Sequence, residues 1–180
     1  MSDDEDDPTL CEKARQGCEQ AFAALFHRHY AAVHGFAFRL CLDSGGAEDV
    51  AQEAFIKAAR SLASFRNEAS FKNWLYRIAM NTAHDWNRRK MRERTASEEL
   101  EARGSDGERP ADFEPVRAAL ADLAEDLRQT VVLIYFEGMN HAQAARLLGC
   151  AETTVSWRIF RAKRQLKEVL SRPIKDLCHE

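Results

Sequence analysis

Residues 140–167 constrain the fold of this chain more than any other stretch, because they pair helical periodicity with one sharp stop. Asn140 and Gln143 have the spacing of a capping box, and Gly149 suits the left-handed position that ends a helix. After this stop the apolar residues recur at intervals of four, three and four: Val155, Ile159, Ala162 and Leu166. The pattern predicts a helix-turn-helix whose second helix has one inward side.

The rest of the second helix is strongly basic. Between Thr153 and Lys167 no acidic residue occurs, although a solvated helix ordinarily mixes charges of both signs. Five bases fall in this stretch: Arg158, Arg161, Lys163, Arg164 and Lys167. Charge of one sign on such a helix is typical of duplex DNA binding through attraction to phosphates. A packed helical hairpin with a basic face is the plainer alternative.

Charge is divided unevenly along the chain. The formal net charge is −3, which is unusual for a protein that binds nucleic acid. However, residues 1–8 carry five acids and no base, and residues 95–115 carry seven acids and two bases. The remaining residues hold 24 bases and 17 acids, so the stretches with helical periodicity are basic. We expect residues 1–8 to form a disordered tail and residues 95–115 a linker.

The composition disfavours several classes of protein. No apolar run is long enough to span a membrane, and the acidic start is unlike a signal peptide, so we expect a cytoplasmic protein. Five cysteines without a CxxC pair indicate neither a disulfide framework nor a zinc ribbon, although thiol sensing or metal binding is an alternative to simple packing. No metal triad, phosphate loop or activated nucleophile occurs, so we predict no cofactor, no metal and no enzymatic activity.

Helical periodicity also runs through the first half of the chain. A short helix over residues 9–16 and a long core helix over 22–40 lead to a glycine-rich turn signal at 43–46. In the next helix, residues 47–62, the predicted buried stripe is Val50, Ala54, Ile56, Lys57, Ala58 and Leu62. Its polar residues cluster near the start, where carboxylates also suit the helix dipole: Glu48, Asp49, Gln52 and Glu53.

A loop over residues 66–70 precedes a long helix that extends to Arg94. Its predicted core side holds Trp74, Leu75, Ile78, Ala79 and Thr82. Its predicted outer side holds Lys72, Arg77, Asn81, Asp85 and Trp86, followed by Arg88, Arg89, Lys90, Arg92 and Arg94. Basic residues interleaved with an aromatic side chain suit unpaired nucleotides. The aromatic ring can stack on any nucleobase, while the cationic side chains follow the phosphate backbone.

These observations predict an all-α protein of two small helical domains joined by an acidic flexible linker. The first domain is expected over residues 9–94 and the second over 116–172, with a short tail over 173–180. Within the second domain, apolar residues between 116 and 136 supply helices against which the helix-turn-helix packs.

Three stretches of the chain resemble the extracytoplasmic-function (ECF) group of bacterial sigma factors, which are sigma-70-like. They are AEDVAQEAFIKA, FRNEASFKNWLYRIAMNTAHDWNRR and LIYFEGMNHAQAARLLGCAETTVSWRIFRAKRQL, in the family's order. The resemblance covers about residues 9–170 and implies a sigma-two-like domain followed by a sigma-four-like domain. It implies a non-enzymatic transcription initiation factor that binds core RNA polymerase and promoter DNA. Such factors are commonly held inactive by an anti-sigma factor.

The resemblance also assigns residues to partners. The polymerase-binding set is Asp49, Gln52, Glu53 and Phe55. The set for melted minus-ten DNA is Arg66, Asn67, Glu68, Ser70, Lys72, Arg77, Asn81, Asp85, Trp86, Arg88 and Arg89, in which the loop over 66–70 captures a flipped base. The set for the minus-thirty-five duplex is Thr153, Thr154, Ser156, Trp157, Arg158, Phe160, Arg161 and Arg164. The sequence departs from the family at Trp157, where a small or basic residue is usual, so the preferred upstream sequence does not follow from the family.

Two other functions explain part of the pattern. A dimeric helix-turn-helix regulator of duplex DNA would use residues 140–167, but it leaves Asp49 and its neighbours without a role. A protein that binds RNA or single strands would use Trp86 and its cations, but it leaves the groove-sized second helix unexplained.

Overall fold

The computed structural model describes residues 5–66, 69–97 and 114–170. Within these ranges the chain is helical and holds no β-strand, which confirms the predicted all-α class. The chain divides into two compact units, residues 1–105 and residues 106–180. The described helices of the first unit are α1 (Asp7–Arg15), α2 (Glu19–Cys41), α3 (Ser44–Ser61) and α4 (Phe71–Ser97). Those of the second are α5 (Glu114–Ala121), α6 (Glu125–Val131), α7 (His141–Leu148) and α8 (Glu152–Leu170).

Part of the predicted acidic tail belongs to the fold. Asp6 caps α1, since its side chain accepts a hydrogen bond from the Thr9 backbone N–H at 3.0 Å. Asp7 joins α1 to α2 through Arg28 at 2.7 Å and His29 at 2.8 Å. The expectation of disorder over residues 1–8 is therefore wrong for these two aspartates, whereas residues 1–4, 98–113 and 171–180 lie outside the described residues.

The core of the first unit lies where α2, α3 and α4 pack on one another. Phe36 of α2 stacks on Tyr76 of α4, with ring centroids 4.5 Å apart and ring planes 10° apart. Small residues of α3, such as Ala47, Ala51 and Ala54, are fully buried and let the helices approach closely. Burial of each large apolar side chain stabilises the fold by about 1.5–3 kcal/mol, so this three-helix core fixes the first unit.

The turn between α2 and α3 is shorter than the glycines at 45 and 46 predict. Leu42 ends α2 in the left-handed conformation, at φ 58, and Asp43 caps α3 by accepting from the Gly46 N–H at 2.7 Å. Gly45 and Gly46 consequently lie inside the first turn of α3. The predicted turn is therefore confined to Leu42 and Asp43, because the aspartate before the glycines starts the helix.

In the second unit, α8 packs against α6 and α7. A π-helical turn over Val132–Phe136 follows α6, and Gly138 then takes a positive φ of 66 before α7 begins. Val132 and Leu133 of this turn are fully buried, as is Val155 of α8. Helices between residues 116 and 136 thus pack against the helix-turn-helix, as predicted. The second of them changes from an α-helix to a π-helical turn after Val131.

Candidate nucleic-acid interfaces

Both predicted signals of the helix-turn-helix are confirmed. The Asn140 side chain accepts from the Gln143 backbone N–H at 2.9 Å, and the Gln143 side chain accepts from the Asn140 N–H at 3.0 Å. Gly149 then ends α7 in the left-handed conformation, at φ 66. Backbone groups at both ends of α7 thus find hydrogen-bond partners within the motif itself. The bounds of α7, and with them the start of the turn that leads to α8, are therefore set by local residues.

Helix α8 buries its apolar stripe and exposes a mixed face. Val155, Ile159 and Ala162 are buried, as predicted, whereas Leu166 of the same predicted stripe is half-buried. Six residues of the predicted minus-thirty-five set are exposed and form what we call the α8 face: Thr153, Ser156, Trp157, Phe160, Arg161 and Arg164. Thr154 is half-buried beside them. Trp157 is 52% exposed and Phe160 is 61% exposed, so this face offers apolar as well as cationic groups.

Contacts within the second unit fix two side chains of the α8 face. The guanidinium carbon of Arg161 lies 4.9 Å from the centroid of the Trp157 ring, which is a cation–π contact. The Ser156 hydroxyl lies 2.9 Å from Nδ1 of His141 and donates to the Glu152 carbonyl at 3.1 Å. The face is therefore tied to the start of α7 rather than held by α8 alone.

Arg158 does not belong to the α8 face. Its Nε lies 3.3 Å from a carboxylate oxygen of Asp126 on α6, and its side chain is only 21% exposed. A neighbouring link runs from the Gln165 amide to the Asp122 carbonyl, at 2.6 Å. The structure thus corrects the placement of Arg158, which orients α8 against α6 instead of facing a groove.

Helix α4 carries a polar face of its own. Arg77, Asn81, Asp85 and Arg88 recur at intervals of four, four and three and are all exposed, and we call them the α4 face. An oxygen of Asp85 lies 3.6 Å from a nitrogen of Arg88. Arg89 is exposed next to this face.

The remaining minus-ten candidates lie near the start of α4. Lys72 is half-buried, and its Nζ lies 5.1 Å from the centroid of the Tyr76 ring. Arg66 and Ser70 are exposed in the preceding loop, where the Ser70 hydroxyl accepts from the Asn73 N–H at 3.3 Å. Asn67 and Glu68 lie outside the described residues.

Trp86 lies on the inner side of α4, contrary to the prediction. It is half-buried and follows three buried residues of the same side, Leu75, Ala79 and Thr82, with intervals of four, three and four. Its ring covers the α-carbon of Gly46 so closely that a β-carbon there would overlap it. Lys90 lies 4.6 Å from the ring centroid and donates to Asp43 at 2.6 Å. Trp86 therefore joins α4 to the start of α3, and its ring is partly covered by these contacts.

Helix α3 exposes carboxylates, an amide and one large apolar side chain on one side. We call Asp49, Gln52, Glu53 and Ile56 the α3 face, since they follow helical spacing. Ile56 is 50% exposed, so its predicted place in the buried stripe is wrong. The spacing from Asp49 and Gln52 was the signal that would have found it.

Two hydrogen-bonding links hold the α3 face in place. Glu53 pairs with Lys57 at 2.9 Å, and Lys57 also donates to Thr82 of α4 at 3.1 Å. The Gln52 amide donates to Glu48 at 3.2 Å. Asp49 is exposed on the same side of the helix. The carboxylates thus lie in the second and third turns of α3, beyond the first turn where the helix dipole acts most strongly.

The structure does not place Phe55 on the α3 face. Its ring is 3% exposed and lies 4.7 Å from the ring of Phe26 and 6.2 Å from that of Tyr30, both on α2. Phe55 consequently anchors α3 to α2. It can act on a partner only through the position of its neighbours.

The described residues hold no group of three or more metal-binding side chains, and none of their helices has the length and apolarity of a membrane span. The described cysteines form no disulfide with one another, and Cys11 is fully buried. Burial, reinforced by the nearby charge of Asp7, raises the pKa of the Cys11 thiol to about 11. A thiol that stays protonated is a packing group, not a nucleophile.

Comparison with known proteins gives a match for each unit. Residues 25–93 match the family model for Sigma-70 region 2, and residues 113–166 match that for Sigma-70, region 4. The chain is 36% identical over 186 residues to the RNA polymerase sigma-H factor of Pseudomonas aeruginosa, covering 94% of this chain and 96% of that protein. It is 34% identical over 182 residues to the ECF RNA polymerase sigma-E factor of Escherichia coli, covering 92% and 95%.

Solved structures give likenesses over most of the chain. One is the sigma factor RpoE in complex with the anti-sigma factor NepR from Bartonella quintana, with a TM-score of 0.73, 28% identity and coverage of 84% of this chain and 97% of that one. Another is CnrH in complex with the cytosolic domain of CnrY, with a TM-score of 0.72, 28% identity and coverage of 91% and 96%.

Proposed function

Because this chain belongs to the extracytoplasmic-function group of sigma-70 factors, it is a promoter-specific initiation factor that binds RNA polymerase, and we propose which surface meets each partner. The first domain, residues 9–94, carries the polymerase and minus-ten contacts. The second domain, residues 116–172, carries the minus-thirty-five contacts. Residues 95–115 link the two.

The α3 face is the proposed docking surface for core RNA polymerase. The carboxylates and the exposed Ile56 suit a protein surface that has an apolar patch surrounded by basic residues. Complementary charge would speed association, and burial of Ile56 would add affinity. Phe55 supports this surface from beneath. Glu53 already pairs with Lys57, so Asp49 is the carboxylate whose reversal tests the surface most cleanly.

The α4 face is the proposed surface for melted minus-ten DNA. The Asn81 amide can donate to and accept from the edge of an unpaired base, while Arg77 and Arg88 lie one to two turns away along the same side for phosphates. The exposed loop residues Arg66 and Ser70 extend this surface at the start of the helix. Trp86 contributes by holding α4 on α3.

The α8 face is the proposed binding surface for the minus-thirty-five duplex. Its geometry is the main observation that supports the proposed recognition of promoters. It is exposed and free of acids from Thr153 to Lys167, and it projects from a helix-turn-helix closed by a capping box. The Arg158–Asp126 pair braces the helix from behind. This arrangement supports insertion of α8 into a major groove, with Arg161 reading bases and Lys167 attracting phosphate.

Three further properties follow from this role. We propose that an anti-sigma factor binds this chain, as one binds the similar Bartonella quintana protein. We also propose that the chain acts in the cytoplasm, because polymerase and promoters are there. It needs no cofactor and catalyses no reaction itself, since RNA synthesis is the chemistry of polymerase.

Affinity for core polymerase tests the proposed docking surface. Asp49→Lys should weaken binding of the full chain to core enzyme by at least about tenfold, or about 1.4 kcal/mol, because it places a cation against a basic partner surface. Glu12→Lys on α1 is the control, since it also reverses one exposed carboxylate. Equal affinity of Asp49→Lys and wild type, with both variants folded, would show that polymerase binds elsewhere.

A further inference from the structure

The α8 face contains a large apolar group that phosphate attraction does not explain. Trp157 is 52% exposed at the middle of this face, in the same sector as Thr153 and Arg164. Phe160, three residues further on the same face, is 61% exposed, so two large apolar side chains lie together at the surface, and such a patch marks a binding surface better than a single exposed ring does. The position of Trp157 therefore points to a ligand with an apolar feature inside a negatively charged groove.

Trp157 also positions a hydrogen-bonding residue. The Arg161 guanidinium lies over the indole, at 4.9 Å from guanidinium carbon to ring centroid. A guanidinium that contacts a ring through its face keeps its in-plane N–H donors available for another partner. The contact consequently restricts Arg161 to fewer orientations before any DNA is bound, which lowers the entropy cost of a bidentate hydrogen bond.

The major groove offers one partner for each of these groups. Among the four base edges, only thymine presents an apolar group there, its C5 methyl, and guanine presents the O6 and N7 acceptors that suit arginine. Residues four apart on a helix lie about 6 Å from each other, which is about two base-pair steps. A thymine and a guanine within that distance would fit Trp157 and Arg161 together.

Resting on the proposed role of the α8 face, we propose that Trp157 contacts the C5 methyl of a thymine in the upstream promoter element. The same ring holds Arg161 toward a guanine within about two base pairs of that thymine. Trp157 is then a specificity-determining residue, and the preferred upstream sequence of this protein differs from that of relatives with a small residue at this position.

Replacement of thymine by deoxyuridine tests the contact, because it removes only the methyl group. Holoenzyme made with the full chain would first be used to select an upstream element from a promoter library, and each thymine would then be replaced in turn. At one position, wild type should lose roughly fourfold in affinity, the value of burying one methyl-sized group. Trp157→Ala should bind thymine and deoxyuridine equally at that position, and should also discriminate less at the neighbouring guanine.

Tyr135→Ala is the matched control. Tyr135 is 53% exposed in the same unit and also has a cation of α8 near its ring, Lys163 at 5.8 Å, yet it lies outside the α8 face. This variant should keep the full thymine preference, and Trp157→Phe should restore part of the guanine preference lost in Trp157→Ala.

Two results would overturn the proposal. If wild type and Trp157→Ala show the same thymine-to-deoxyuridine ratio at every position, the indole does not read a methyl group. If Trp157→Ala loses affinity for a protein partner or an unpaired strand with its duplex preference intact, the ring serves that partner instead. Failure of wild-type holoenzyme to select any upstream element would instead contradict the proposed function of the α8 face.

Discussion

At the scale of single residues, neighbouring positions in α3 take opposite roles. Phe55 is 3% exposed and Ile56 is 50% exposed, although they are adjacent in the chain and both are large and apolar. Helical spacing from Asp49 and Gln52 indicates that Ile56 is the exposed residue of the two. The sequence does not show what Phe55 packs against, which is Phe26 of α2, with ring centroids 4.7 Å apart.

This pair gives a direct contrast between stability and binding. Phe55→Ala should lower the free energy of unfolding by about 3–5 kcal/mol, because it leaves a cavity against α2. Ile56→Ala should change stability by less than about 1 kcal/mol and weaken core-polymerase binding instead. Urea unfolding and a polymerase-binding titration on both variants would measure the two effects. A large loss of stability in Ile56→Ala, or none in Phe55→Ala, would contradict the packing described for α3.

Cys11 gives a prediction about pH. Burial raises the pKa of this thiol from its ordinary value of 9.0 to about 11, so the folded protein holds the proton more tightly than the unfolded chain does. The stabilisation by the neutral thiol is therefore complete below about pH 9 and is lost as the pH rises toward about 11. The free energy of unfolding of wild type relative to Cys11→Ala should fall by up to about 2 kcal/mol across this window. A difference that stays constant with pH would contradict burial of the thiol.

At the scale of elements, the joint between α3 and α4 depends on a glycine under an indole. Gly46 lies in the first turn of α3, and the ring of Trp86 occupies the space that any β-carbon at Gly46 would need. Lys90 completes the joint through Asp43, the residue that caps α3. The orientation of the α4 face relative to the α3 face therefore depends on this contact inside one unit.

A double-mutant cycle tests the joint. Gly46→Ala should destabilise the protein by about 1–3 kcal/mol through overpacking against Trp86. In a Trp86→Ala background the same change should be neutral or stabilising by up to about 1 kcal/mol, because alanine favours helix over glycine. Gly45→Ala is the control, since its β-carbon would meet nothing nearer than an Asp43 oxygen at 3.6 Å. Additive effects of the Gly46 and Trp86 changes, measured by urea unfolding, would show that the two residues do not touch.

The elements themselves were largely predictable because their signals are local. The capping box at Asn140, the stop at Gly149 and the apolar intervals from Val155 to Ala162 depend on residues a few positions apart. The error at Trp86 also has a local cause. The prediction groups this residue with nearby cations, whereas its helical phase, continued from Leu75, places it on the side of α4 that meets Gly46 of α3.

Two other corrections have different causes, one distant in sequence and one local. Arg158 pairs with Asp126, and that partner lies on another helix whose position the sequence does not reveal. Asp43 was part of a turn signal with two glycines, yet its carboxylate caps α3. Charge and spacing thus predict which helix carries a face, and packing decides which of its residues belong to that face.

At the scale of the whole molecule, two compact units carry three faces of different charge. Carboxylates and an isoleucine make up the α3 face, whereas arginines contribute to both the α4 face and the α8 face. The net charge of −3 conceals this division, because acids are concentrated at residues 1–8 and 95–115. Polymerase and promoter DNA are thus proposed to bind separate faces, which single substitutions can test one at a time.

Mapping of transcription start sites tests directly whether the α8 face determines which promoters are used. Core polymerase would be combined with wild type, Arg161→Ala or Arg158→Ala and given a pool of bacterial promoter fragments, and the 5′ ends of the transcripts would be sequenced. The start sites obtained with wild type should share one upstream element. Arg161→Ala should change the base preferred at one position of this element by about 1–3 kcal/mol, while Arg158→Ala lowers output without changing that preference. Start sites without a common upstream element, or the same base preference in wild type and Arg161→Ala, would contradict the proposed role of the α8 face.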